Sequence, residues 1–332
     1  MVPRHACRPH DGRGVFLFKA WMMTNRMDFL RRSEAMMAFY ADGKYLDALQ
    51  VTEQLAAEFP EENATTSFWR VCLLSRVGKT NEALKAMSTA MNQGTWWSEK
   101  QLRADEDLAP LQGLPAFESM VTECKTRHAA AQKDSKPDIL IRLPSKNGPY
   151  PLLIALHART SSPERDFRNW ESILQMGWML AMPQSSQLGS PNSFVWDDAA
   201  LAREEIVNQY KLLIEKYSID PRRVILAGMS QGAALAIQIC LHSLIPARGF
   251  LAVVPGRITT EGLNELLHSA RGWRGYLVVG GRDPRHEMFT QIHALLNQNG
   301  IPCEMEDHPE MGHEFPQNFD QSITKALKFL LA

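Results

Sequence analysis

The sequence has no long apolar run, no cluster of cysteines and no excess of either charge. Nothing approaches the roughly 20 consecutive apolar residues that a helix needs to cross a bilayer, so no membrane span is expected. Lysine and arginine number 36 against 37 aspartates and glutamates, which leaves a net charge of −1. Without a basic excess or a run of like charge, a nucleic-acid partner is not expected either. The five cysteines (Cys7, Cys72, Cys124, Cys240 and Cys303) are scattered and form no C-x-x-C pair. That indicates neither a disulfide framework nor a zinc site, and it fits free thiols in a reducing cytoplasm. Arg4, Arg8 and Arg13 precede a short apolar run at 15–18, but Lys19 interrupts it and no small-residue cleavage site follows. Residues 1–30 therefore read as a disordered extension rather than a secretory signal. Met22, Met23 and Met27 offer later starts for translation.

What is present is ordinary soluble globular composition, with 45% hydrophobic and 22% charged residues. At 332 residues, two domains are expected. Residues 31–132 read almost wholly as helix. The segment Ala38–Leu49 recurs in outline at Leu73–Leu84: Gly43 aligns with Gly78, Ala48 with Ala83 and Leu49 with Leu84, at one offset of 35 residues. Glycine turns the chain back, and alanine lets the next helix approach closely. In period and turn chemistry this resembles the tetratricopeptide family, without its early tryptophan. Residues 133–137 are polar, end in proline and suit a linker.

From 138 to 332 the pattern changes. Strands are expected at Ile139–Leu143, Leu152–Leu156, Met179–Met182, Val224–Ala227, Phe250–Val254, Tyr276–Val279 and Cys303–Glu306. Between them lie helical stretches at Asp166–Met176, Asp198–Tyr217, Gln231–Leu241, Glu261–Ala270, Glu287–Asn299 and Gln321–Leu331. Continuous apolar strands separated by helices imply a mainly parallel sheet buried on both faces, an α/β architecture.

The most informative stretch is Val224–Ala234, in which Gly228-Met229-Ser230-Gln231-Gly232 follows an apolar strand and opens a small-residue helix. This is G-x-S-x-G in the strand–turn–helix setting of a nucleophile elbow. A side chain two residues before or after the serine would meet neighbouring backbone, hence the two glycines. Serine needs a histidine base, and the base needs a carboxylate. In this arrangement the chain order is serine, acid, histidine. Asp283 follows the strand Tyr276–Val279, and His313 lies in a loop before the last helix. Ser230 is expected to be the nucleophile, Asp283 the orienting acid and His313 the base. His286 and His308 are rivals for the base, and Glu287 for the acid. Asp283 before Pro284 also suits a plain turn. Cys240 lies too far along its helix to attack.

The oxyanion needs two backbone donors. One is expected to be the N–H of Gln231. The other is expected from the loop after Leu152–Leu156, at Ala158 or Arg159, with His157 bracing that loop. Arg159 suits either a solvated surface or an anionic substrate group. Trp196 and His157 are candidates for substrate contact, and the Ser/Gly/Pro-rich loop Gln184–Val195 for lining or covering the pocket. Trp170 lies nearby in sequence.

The segments Leu153–His157, Gly228–Gly232, Gly281–Asp283 and Gly312–Phe315 together resemble the α/β-hydrolase superfamily, in its carboxylesterase/phospholipase-like and acyl-thioesterase-like branch. The resemblance implies an α/β-hydrolase fold preceded by a small all-α domain. It also implies a serine esterase with no metal and no organic cofactor, acting on a small-molecule ester. An acyl-thioesterase or small peptidase would use the same triad. The helical repeats suit a protein partner, or packing within the chain, equally well.

Overall fold

The computed structural model describes residues 28–29, 31–258, 267 and 272–332. The extension expected over 1–30 and the helix expected over Glu261–Ala270 fall almost wholly outside these. The chain divides between Arg127 and His128 into two compact units.

The first unit is helical: residues 31–41, Tyr45–Glu58, Asn63–Arg76, Thr80–Asn92, Glu99–Ala104 and the start of Pro115–Gln132. Its turns repeat the sequence offset. Gly43 and Gly78 both adopt positive φ, at 72° and 76°, a region that costs glycine nothing. The next N–H reaches five residues back in each turn, Lys44 to Phe39 O at 2.8 Å and Lys79 to Leu74 O at 2.9 Å. That bond satisfies a carbonyl left open at the helix end. Ala48 and Ala83 are fully buried, as residues at a close helix contact should be. Phe29 stacks on Trp69 and meets Phe59 edge-on, forming a small aromatic core with Leu55.

The unit boundary lies inside the helix Pro115–Gln132 rather than in the polar stretch 133–137. The last turn of that helix is bonded into the second unit: Gln132 Nε2 donates to Ser186 O at 2.7 Å, and Gln132 Oε1 accepts from Leu188 N–H at 3.0 Å.

The second unit is built on a seven-stranded sheet of order β1-β3-β2-β6-β7-β8-β9. Its strands are β1 (Asp138–Arg142), β2 (Tyr150–Leu156), β3 (Met179–Gln184), β6 (Ile219–Met229), β7 (Gly249–Val253), β8 (Arg274–Gly280) and β9 (Cys303–His308). Only β1 runs antiparallel to its neighbour; every other pairing is parallel. Pro151–Leu156, Val224–Ala227 and all of β7 are buried, because helices cover both faces of the sheet. This is the α/β-hydrolase fold. Among the described residues, no helix is long and apolar enough to cross a membrane.

The loop Gln184–Val195 is more ordered than its composition suggests. It contains a two-stranded hairpin, β4 (Leu188–Ser190) with β5 (Ser193–Phe194), turned by Pro191 and Asn192. Asn192 takes φ 55°, a conformation asparagine tolerates in turns.

Strand order places the site. The chain leaves β2 for β3 on one side, then crosses to β6 on the other. Ligands bind beyond the carboxyl ends of strands where such an order reverses. The loop after β2 and the turn after β6 are therefore neighbours.

Candidate active site

Ser230 stands between the end of β6 and the helix Gln231–Leu241, with φ 53° and ψ −118°. A non-glycine residue held there costs on the order of 1–3 kcal/mol, which surrounding contacts must offset. Two of them are backbone bonds: Ser230 N–H to Val253 O at 3.0 Å, and Gly256 N–H to Ser230 O at 2.7 Å. The flanking glycines are required by space. A Cβ on Gly232 would lie 2.3 Å from Leu156 O, and one on Gly228 would lie 2.5 Å from Gly232 C.

The structure brings Asp283 and His313 to this serine. β8 and β9 are neighbours, and the loops that follow them are laced together. Gly281 N–H donates to His308 O at 2.9 Å, and Arg282 N–H to Met311 O at 3.0 Å. His313 Nδ1–H donates to Asp283 Oδ2 at 2.5 Å, which leaves Nε2 as the acceptor facing Ser230 Oγ at 2.8 Å. Burial pushes the Asp283 carboxyl up. The His313 hydrogen bond, the Arg285 N–H and the charges of both residues outweigh it, so its pKa lies below the ordinary value. Phe315 anchors the histidine loop by packing against Trp170 and Phe319.

The rivals stand elsewhere. His286 Nε2 pairs with Asp307 at 2.7 Å, and His308 Nε2 lies 3.5 Å from Glu306. Glu287 is exposed on its helix, where its carboxylate accepts from Gln291.

The choice of second oxyanion donor narrows. Ala158 N–H is given to Asp166 Oδ2 at 2.9 Å, so it is not free to meet an oxyanion. Asp166 also accepts from Ser161 Oγ at 2.6 Å and so fixes the loop from within. Of the two donors expected in this loop, Asp166 takes Ala158 and not Arg159.

The two residues expected to touch substrate are instead internal packing. His157 is fully buried and stacks on Trp196 with ring centroids 4.5 Å apart. Its Nδ1–H donates to Ala158 O, its Nε2 accepts from Ser185 N–H, and burial drives its pKa down to about 4. Trp196 is 3% exposed and donates from Nε1 to His157 O at 3.0 Å. An aromatic residue near a site reads the same in sequence whether it lines the pocket or supports its wall. Trp170 is likewise core, and Ser185–Gln187 are buried. Ser186 is held there by Glu205 through both its hydroxyl and its N–H.

Two features had no sequence signal. Arg285 lies against the acid and base, with Nη1 3.0 Å from His313 Nδ1 and 3.4 Å from Asp283 Oδ1. Asp197 gathers side chains from the loop after β2 and from the turn after β6: Arg159 Nη2 donates to Oδ2 at 3.0 Å, and Gln231 Nε2 to Oδ1 at 2.9 Å.

Residues 196–331 match the Phospholipase/Carboxylesterase family. The second unit is a carboxylesterase-family α/β-hydrolase. Ester hydrolysis is the chemistry of this hydrolase, and its family match includes Ser230, Asp283 and His313 but stops short of the loop 157–161. Residues 29–132 match the family described as the A/B hydrolase-like N-terminal domain. The tetratricopeptide likeness goes no further than the helical hairpins and their turns. Among solved structures, an uncharacterized protein from Bacillus cereus ATCC 10987 is 28% identical, with a TM-score of 0.53 over 91% of this chain and 98% of that one. An enzyme described as esterase PE8 matches at 18% identity and a TM-score of 0.52, over 59% of this chain and all of that one. At that identity the likeness shows the fold alone. No curated protein matches this chain.

Proposed function

We propose that this hydrolase is a serine carboxylesterase that works through an acyl-enzyme. Ser230 Oγ attacks the ester carbonyl while His313 Nε2 takes its proton. The backbone N–H groups of Gln231 and Arg159 hold the tetrahedral oxyanion. His313 then gives its proton to the leaving alcohol. In the second half of the cycle it deprotonates a water molecule, which attacks the acyl carbon; His313 returns the proton to Ser230 Oγ as the acyl–oxygen bond breaks and the acid leaves. Asp283 keeps the proton on Nδ1 and stabilises the imidazolium in each transition state.

The observation that carries this reading is the 2.8 Å contact of Ser230 Oγ with His313 Nε2, on a serine held at φ 53°. Strain at that turn lifts the hydroxyl clear of the sheet and toward the base. The test is Ser230→Ala. Hydrolysis of p-nitrophenyl esters and labelling by a fluorophosphonate should both disappear; labelling that persists in the variant would overturn the assignment. p-Nitrophenyl esters of increasing acyl length, run beside a thioester and an aminoacyl amide, then fix which bond is preferred.

A further inference from the structure

We propose that Asp197 is a positioning residue that sets the spacing of the two oxyanion donors. The inference rests on the esterase reading above.

The two residues that supply the backbone donors belong to elements far apart in sequence. Arg159 follows β2, and Gln231 follows β6. Their backbones share no bond that fixes the gap between the two N–H groups, but their side chains share a partner. The Arg159 guanidinium grips Asp197 with both a Nε contact of 3.3 Å and an Nη2 contact of 3.0 Å. A fork of this kind fixes orientation as well as distance. On the same carboxylate, Oδ1 accepts from Gln231 Nε2 at 2.9 Å. The other end of the Gln231 amide, Oε1, accepts from the backbone N–H of Trp196 at 2.9 Å. The Gln231 side chain is thus tied twice to the segment 196–197, and Arg159 is tied to it once by two bonds.

Segment 194–197 is itself well anchored. Phe194 N–H donates to Ser161 O at 2.9 Å, and Trp196 Nε1 donates to His157 O at 3.0 Å. The loop 157–161 therefore lies along this segment, bonded at both ends, with the Arg159–Asp197 pair at its middle. That middle is where support is needed, because Thr160 sits at φ 59° beside Arg159. A β-branched residue in this conformation is strained and relaxes when its restraints are removed. Asp166 restrains Ala158 and Ser161 on either side of Arg159. Among these bonds, the one from Asp197 reaches Arg159 itself.

Asp197 is partly shielded, with a side chain 17% exposed against 35% for Arg159. The pair is thus neither a loose surface bridge nor a fully buried one. Its role is geometric: a donor displaced by about 1 Å forfeits on the order of a hundredfold in rate.

The experiment compares the wild type with Asp197→Ala, Arg159→Ala, the double variant and Asp197→Asn, in the full chain. Hydrolysis of p-nitrophenyl butyrate gives kcat and KM, and a trifluoromethyl ketone, whose adduct with the serine presents an oxyanion, gives Ki. Asp197→Ala should lower kcat by roughly 10- to 100-fold while KM stays within about threefold, since the donors act in the transition state. Ki should rise in parallel with the loss in kcat/KM. Arg159→Ala should cost less than Asp197→Ala, since Gln231 keeps its acceptor, and the double variant no more than Asp197→Ala alone, because that change already removes the Arg159 tether. Asp197→Asn keeps the acceptor for Gln231 but loses the fork, so its loss should be smaller than that of Asp197→Ala. The inference is overturned if Asp197→Ala keeps wild-type kcat and Ki, if the losses multiply in the double variant, or if kcat corrected for the folded fraction is unchanged. A wild-type protein that neither hydrolyses esters nor labels at Ser230 overturns the esterase reading instead, so the two failures are told apart.

Discussion

Each unit of the chain buries an aspartate, and the two differ in what faces it. In the helical unit, Asp107 is 7% exposed; it accepts from Tyr40 Oη at 2.9 Å and pairs with Arg76 Nε at 3.0 Å. In the hydrolase unit, Asp283 is 3% exposed and accepts from His313. Burial and hydrogen bonding are nearly the same. The partners are not: tyrosine and arginine keep their protons near neutral pH, whereas histidine exchanges its own there. Burial even raises the Tyr40 pKa further, with help from Asp107. Asp107 therefore holds helices together, while Asp283 holds a histidine that contacts Ser230 and that, in the function proposed above, carries its proton. The difference lies in the partner, which in the hydrolase unit also contacts a serine hydroxyl.

The largest expected effect tests that contrast directly. Asp283→Asn should lower kcat/KM by roughly 10⁴-fold, because an amide at this position favours the wrong histidine tautomer. That corresponds to about 5.5 kcal/mol of transition-state stabilisation. Steady-state kinetics on a p-nitrophenyl ester measure it, and a loss below tenfold would place Asp283 with Asp107 as a structural residue.

A second, smaller effect concerns stability against pH. His157 has a folded pKa of about 4 against an ordinary 6.5, because burial disfavours its charged form. Between those values the unfolded chain binds more protons than the native one, so stability rises with pH. The contribution is complete above about pH 6.5 and is lost as pH falls toward 4, amounting to about 3 kcal/mol. Thermal melts of the wild type and His157→Gln across that range should differ in slope, the variant being flatter. Parallel slopes would mean that His157 is reached by solvent.

The smallest effect returns to the helical unit. Asp107→Ala leaves the Tyr40 hydroxyl and the Arg76 guanidinium without their acceptor, at a cost of about 1–3 kcal/mol. The expected outcome is a lower melting temperature with kcat and KM unchanged in the folded fraction. A fall in kcat would instead join the helical unit to the chemistry and erase the contrast.

Most of the parallel strands were legible because each contains an unbroken apolar run; β9, with Glu304, Glu306 and Asp307, lacks one, and the start of β6 at Ile219 carries charged residues and a proline. Ser230, Asp283 and His313 stood out because each lies where a strand or its loop ends, in serine–acid–histidine order. Asp197, Arg285 and Asp166 did not, since charged residues in loops and in the first turns of helices are usually solvated. His157 and Trp196 were expected at the substrate and proved to be stacked inside the wall. The loop Gln184–Val195 was expected to line or cover the pocket, yet Ser186 and Gln187 are buried and bonded into the fold.

The order of apolar runs along this chain set the sheet, and the glycines around Ser230 set the turn, because both are constraints between residues close in sequence. Which of two adjacent N–H groups is taken up by a carboxylate was decided only by folding. Ala158 and Arg159 are adjacent and equivalent donors until Asp166, brought alongside by its helix, takes one of them. A hydrogen bond depends on where two distant segments come to lie, and local pattern carries no record of that distance.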